Sequence, residues 1–167
     1  HSDTGLGSYE IWWKGRHIVV DGGIPEYGLS PEAVFFKGAQ GQNSISLNGI
    51  APTLLDYEAD QLPEWYTNLQ KPGEWKISST EATFKWYGFY RYKYGLVWCR
   101  TWSWYDVTIT VSDKISGVKC AINLEAYLHF GENDWVDQNE GIFKGENCNL
   151  CIETSGQTQI NLIKIPY

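Results

Sequence analysis

A chain of 167 residues has the length of one domain, and a net charge of -7 with a pI near 4.9 gives it the wrong sign of surface for nucleic acid phosphates. No apolar run reaches the roughly 18 residues that a membrane-spanning helix requires. Aromatic residues make up 16% of the chain and nine of them are tryptophan, so composition leaves one question: what so many rings are for.

The chain opens on His1 and contains no methionine, which implies a removed leader or a trimmed terminus. In that single residue it resembles the lytic polysaccharide monooxygenases, which are β-sandwiches acting on glycans. The resemblance implies copper held by the amine and imidazole of His1, with His17 or His129 as the second imidazole. An ordinary chain end is the favoured reading, because termini are usually untethered.

Short patterned stretches alternate with Gly, Pro, Asn and Asp along the rest of the chain, which predicts many strands and few helices. Strands are expected at 8–14, 17–21, 33–37 and 44–50. The stretch TLLDYEADQLPEWYTNLQ, 53–70, is the one plausible helix, and Pro63 limits it to a turn or two. Further strands are expected at 74–78, 82–94, 96–111, 118–130, 141–145 and 158–165. Together they predict an all-β fold, a two-sheet antiparallel β-sandwich of jelly-roll type with at most one short helix, as a single domain over 1–167.

Alternation assigns faces to the longer strands. In 82–94, Phe84 and Trp86 are expected to pack inward with Tyr90, Tyr92 and Tyr94, leaving Lys85, Arg91 and Lys93 wet. In 96–111, Val107, Ile109 and Val111 alternate with Thr108 and Thr110. Carried back as one continuous strand, that register puts Val97, Cys99, Thr101, Ser103 and Tyr105 inside. Trp98, Arg100, Trp102, Trp104 and Asp106 then point away from the core. In 118–130 the even positions Ile122, Leu124 and Leu128 are apolar and expected inside, with Cys120 among them. Asn123, Glu125, Tyr127 and His129 share the opposite face, about 7 Å apart in sequence along the strand.

Cys99 and Cys120, both inward by these registers, are expected to form one disulfide, and Cys148 and Cys151 a second. The polar, glycine-bounded surroundings of Cys148-Asn-Leu-Cys151 speak against redox or zinc chemistry, and paired cysteines point to a secreted, extracellular protein. The loop 131–141 is dense in oxygen ligands, and Asp134, Asp137, Asn139 and Glu140 are the residues expected to hold Ca2+ if the protein uses one.

Indole and phenol planes cover the apolar faces of sugar rings, while Arg, Asn and carboxylates bond to the hydroxyls. Trp98, Arg100, Trp102, Trp104, Asn123, Glu125, Tyr127 and His129 are therefore the expected ligand-binding set, provided their strands share a sheet. The reading is a lectin-like domain whose partner is a glycan or polysaccharide, with no catalytic residue of its own. One alternative is a glycoside hydrolase using Glu125 and Asp106, which would need two carboxyl groups across a cleft. The other is a surface or adhesion protein with an aromatic interaction face. The bland alternative is that the rings are simply core.

Overall fold

The computed structural model describes residues 5–23, 28–53, 73–87, 96–117, 121–131, 136–139, 142–144 and 149–151. The strands are β1 (Ile11–Trp13), β2 (Arg16–Val19), β3 (Ile45–Leu47), β4 (Glu74–Ile77), β5 (Glu81–Trp86), β6 (Val97–Tyr105), β7 (Thr108–Ser116), β8 (Leu124–Ala126), β9 (Val136–Asn139), β10 (Ile142–Lys144) and β11 (Asn149–Cys151). One helix, α1 (Pro31–Lys37), precedes a 3-10 turn at Ala39–Gly41. Every strand pairing among the described residues is antiparallel, and the fold is the expected all-β sandwich. No helix among the described residues is long and apolar enough to cross a membrane.

The largest sheet has the order β4-β5-β6-β7. Across from it lie β3 and β8, and the chain beyond β8 runs on to bridge Val19 of β2 at Phe130. Reciprocal backbone bonds make that junction: Val20 N–H to His129 O at 3.0 Å and Gly131 N–H to Ile18 O at 3.1 Å. Strands β1, β2 and β3 thus belong to one layer through the 124–131 segment. Ile45 and Leu47 of that layer are fully buried against Phe84, Trp86, Leu96 and Trp98 of the other. A smaller cluster centres on Ile18 and Val19 with Tyr9, Leu128 and Phe130.

Register divides the large sheet into two unlike faces. The inner one carries the rows Trp86–Trp98–Ile115, Trp75–Phe84–Arg100–Asp113, Ile77–Ala82–Trp102–Val111 and Trp104–Ile109. The outer one carries Glu74–Lys85–Cys99–Lys114 and Lys76–Thr83–Thr101–Ser112. Directly opposed residues of antiparallel strands share a face, so each row is one line of neighbours.

This inverts the expected faces of β6. Trp98 and Arg100 are 0% and 3% exposed, whereas Val107 is 71% and Ile109 46% exposed. Stretch 96–111 is not one strand but a hairpin, turning at Asp106–Val107 where Asp106 adopts φ 51. Because Tyr105 pairs with Thr108, odd positions of β7 share a face with even positions of β6. The apolar alternation in β7 was legible, but carrying it back through a turn reverses every side chain before it. Leu124 also departs from expectation, 44% exposed on β8, while Ile122 and Leu128 are partly buried in different clusters.

The buried Arg100 is tolerated because it is paired. Its Nε and Nη2 donate to the two carboxylate oxygens of Asp113 at 2.8 and 2.7 Å, and Nη1 donates to the carbonyls of Gly7 and Asn43. Trp98 Nε1 adds a third bond to Asp113 at 2.8 Å. A bidentate pair with its remaining donors satisfied offsets desolvation that a lone charge would not survive. Beneath the guanidinium, burial pushes the Tyr9 phenol up to about 12.

Stretch 33–37, expected as a strand, is helix α1. Ser30 Oγ accepts the Ala33 N–H at 3.1 Å, Pro31 opens the first turn beside Glu32, and Lys37 closes the last. Those are helix-start and helix-stop signals, and they outweigh the β propensity of the apolar run between them. The helix expected at 53–70 lies, from residue 54 to its end, outside the described residues, as does the strand at 158–165. Part of the oxygen-rich 131–141 stretch is strand β9, hairpinned onto β10.

Candidate functional site

The expected binding set does not assemble on one surface. Strand β6 lies between β5 and β7, whereas β8 pairs with β3 in the other layer. Trp98 and Arg100 are core residues that present no surface to a ligand. What remains is an aromatic ledge on the large sheet and a polar row on β8.

The ledge forms because burial of the inner face declines toward the β6–β7 hairpin. Trp86 and Trp98 are buried, Trp102 is half-buried, and Trp104, Ile109 and Ile77 are 40%, 46% and 75% exposed. Trp75, 55% exposed, is stacked on Trp102 with ring centroids 5.7 Å apart and planes 10° from parallel. Its inboard side meets Phe84 at 4.7 Å, and Tyr9 packs edge-on against Trp102 at 6.0 Å. Trp104 Nε1 donates to Ser79 O at 2.9 Å, which fixes the ring. Trp102 Nε1 is buried without an acceptor, a donor whose desolvation is uncompensated. Trp75 was not among the expected site residues, although the spacing of Trp75 and Ile77 on one strand face is visible in EWKI.

The polar row keeps the order expected of it. Glu125 Oε2 accepts from Tyr127 OH at 2.7 Å and Ser46 Oγ at 2.9 Å, and Oε1 accepts from Asn123 Nδ2 at 3.3 Å. The Tyr127 hydroxyl, then Ser46, holds the Glu125 carboxyl below its ordinary range, while burial raises the Tyr127 phenol. His129 Nε2 donates to Gln40 O at 2.8 Å, and burial lowers its pKa, so the ring is neutral at pH 7. The row thus holds a fixed carboxylate, a protonated phenol and a neutral imidazole. A carboxylate held ionised is a hydrogen-bond acceptor and a poor general acid.

Asp106, the other carboxylate of the hydrolase reading, sits exposed at the β6–β7 turn of the opposite layer. His1 lies outside the described residues. His17 is stacked on Trp12 at 4.1 Å with Nε2 3.5 Å from Glu10 Oε2, and His129 Nε2 is committed to Gln40. Among the described residues no group of three His, Cys, Asp or Glu side chains could hold a metal ion. Of the expected calcium ligands, Asp134 and Glu140 lie outside the described residues, and Asp137 and Asn139 are on β9. Cys99 and Cys151 carry free thiols, so neither expected disulfide forms at them. Cys99 lies on the outer face between Lys85 and Lys114, and the inward register that paired it with Cys120 falls with the hairpin. Cys120 and Cys148 lie outside the described residues.

Comparison with curated proteins and with solved structures gave no match. Comparison with protein families did: the family described as "Heparinase II/III-like, C-terminal" matches residues 1–160. A β-sheet domain of that description ties the chain to glycan-related function and to polysaccharide as the class of partner. With nearly its whole length matched, the chain belongs to the heparinase II/III-like C-terminal family.

Proposed function

We propose that this domain binds polysaccharide through the ledge of Trp75, Trp102 and Trp104, and that it does so as a lectin-like surface without cleaving the chain. The observation that carries the reading is the stacked pair Trp75 and Trp102, with Trp75 55% exposed and Trp104 40% exposed on the same sheet face. The exposed indole surface of Trp75 and Trp104 beside this stack is apolar area matched to the C–H faces of sugar rings.

A second reading is favoured by one contact and the family description together. Glu125 and Tyr127, bonded at 2.7 Å beside His129, would serve polysaccharide cleavage instead. Both readings are tested on the purified chain with a polysaccharide panel. Trp75→Ala and Trp104→Ala, each confirmed folded by circular dichroism, should lose about 2 kcal/mol of binding, roughly thirtyfold. Wild-type affinity in both variants removes the ledge reading. Glu125→Gln keeps the size and an acceptor oxygen but cannot transfer a proton. Equal binding and no turnover in wild type and variant supports the lectin; turnover lost only in the variant establishes cleavage.

A further inference from the structure

Strand β7 is an edge of the large sheet, and seven of its nine residues are exposed. Among the described residues no strand pairs with it on the side away from β6. Backbone directions follow from one bond: Trp104 N–H donates to Thr80 O at 3.0 Å, on the β5 side of β6. The N–H and C=O of a strand residue point to the same side, and the side alternates along the strand. Even positions of β6 therefore bond toward β5 and odd positions toward β7. The β7 partners of those odd positions, Thr108, Thr110, Ser112, Lys114 and Ser116, are spent on β6. Ile109, Val111, Asp113 and Ile115 turn their N–H and C=O outward. Natural sheets guard such an edge by shortness, proline, a bulge or an inward charge. The other edge, β4, has four residues, whereas β7 has nine, holds no proline and pairs with β6 in unbroken register. Its inward charge, Asp113, is neutralised by Arg100.

We infer that the β7 edge docks β7 of a second copy of this chain, the two strands antiparallel about a two-fold axis at Ser112. The pairing does not depend on the glycan reading. The strand sequence TITVSDKIS is close to self-complementary about that centre. Across the axis Ile109 lies opposite Ile115, Val111 opposite Asp113, Thr110 opposite Lys114 and Thr108 opposite Ser116. All nine residues pair, and no like charges meet. Residues that bond outward also meet residues that bond outward, as a ladder requires. An axis at Asp113 would set that carboxylate against its own copy. An axis at Val111 would put Ile115 and Ser116 opposite the turn residues Val107 and Asp106. The axis stands perpendicular to the sheet, so both inner faces, and both ledges, lie on one side of a continuous sheet. With one unguarded edge per copy, association closes at a dimer instead of running on as a fibre. A single strand pair is at the small end of specific interfaces, so the dimer should dissociate on dilution.

Sedimentation equilibrium of the purified chain over a wide concentration series reads the association. Wild type should pass from monomer to dimer, and the amides of Ile109, Val111, Asp113 and Ile115 should gain hydrogen-exchange protection as it does. Val111→Pro removes an outward N–H and spares the β6 ladder, so the folded variant should weaken the dimer about tenfold or more. Thr110→Lys sets a lysine against Lys114 twice over by symmetry and should weaken the dimer about fivefold, while Thr110→Glu should tighten it about as much. Thr110 is exposed on the outer face, so this pair decides the matter even where the proline variant fails to fold. A general loss of stability would not give the two substitutions opposite signs. Trp75→Ala, far across the sheet on β4, should leave the dimer unchanged while losing polysaccharide, so failure of the ledge and failure of the pairing are read separately. A wild type that stays monomeric at every concentration, leaving the edge to a strand of some other protein, overturns the inference. So does a folded Val111→Pro protein that dimerises like wild type, or a shift of the same sign from both Thr110 variants.

Discussion

Replacing Trp98 by alanine tests the register on which the functional reading depends. The ring is 0% exposed and meets Phe84 edge-on at 5.9 Å. The Arg100 guanidinium stands 5.1 Å over it, and a Cβ placed on Gly7 would come within 2.7 Å of it. An indole of this kind buries on the order of 200 Å², which at ~25 cal/mol per Å² sets an upper bound near 5 kcal/mol. Truncations of buried Trp cost about 3–5 kcal/mol, and the tight surroundings place this one at the upper end. Loss of the Nε1 bond adds little, because Asp113 keeps both of its Arg100 bonds. A loss of about 4–5 kcal/mol is close to the whole stability of a small domain. In a urea titration followed by circular dichroism it should lower the midpoint by roughly 2 M at unchanged slope. Trp104→Ala, at the open end, should cost about 1–2 kcal/mol through partial burial and the Ser79 bond. If Trp98→Ala stays within about 1 kcal/mol of wild type while Trp104→Ala costs more, then β6 is turned the other way and the ledge does not exist.

Glu125→Gln should cost about 1 kcal/mol at neutral pH, the worth of a charge-assisted acceptor on Tyr127 and Ser46. The folded carboxyl is held below its ordinary 4.5, so its contribution is full above that value and is lost as pH falls through the lowered one. Thermal melts of the two proteins should therefore converge in acid, and a gap that widens there contradicts the assignment. Alkylation without reductant should label Cys151 quickly and the half-buried Cys99 more slowly, read by peptide mass spectrometry. A Cys99–Cys120 disulfide peptide would show that the outer-face placement of Cys99 is wrong.

The fold class was legible because alternation is a local property, and β5, β6, β7 and the 121–131 segment each display it. Phe84 and Trp86 inward with Lys85 outward follow directly from the pattern of EATFKW. The β6–β7 turn was missed because Asp106–Val107 lacks the glycine that usually marks a hairpin, and Asp tolerates φ 51 on its own. Helix α1 was missed although Ser30, Pro31 and Glu32 announce it, because Ala33 to Phe36 reads equally as a short buried strand. The composite site failed for a different reason. Which sheet a strand joins is decided by pairing between distant segments, and nothing in Trp98–Trp104 or in Asn123–His129 alone shows that β6 and β8 lie in separate layers. Within one strand the prediction was sound: Asn123, Glu125 and Tyr127 do share a face, and they bond to one another.

Arg100, expected on the ligand-binding face, instead ties the two layers together beside the ledge. Arg100 fastens Asp113 of β7 to the carbonyls of Gly7 and Asn43. Asn43 in turn donates to the carbonyls of Tyr9 and Val20 and accepts the His129 N–H at 2.7 Å. The two layers are therefore joined by a satisfied polar network one row inboard of Trp102, and such networks hold a single arrangement of the groups they connect. Tyr9, fixed by that network through its backbone, is the ring that packs on the edge of Trp102. Outboard of this row exposure rises, from the half-buried Trp102 to Trp104 at 40% and Ile109 at 46%. An aromatic surface anchored on its inboard side and bare on the other meets a ligand without first having to order itself, which is what a binding platform requires and a loosely packed core edge lacks.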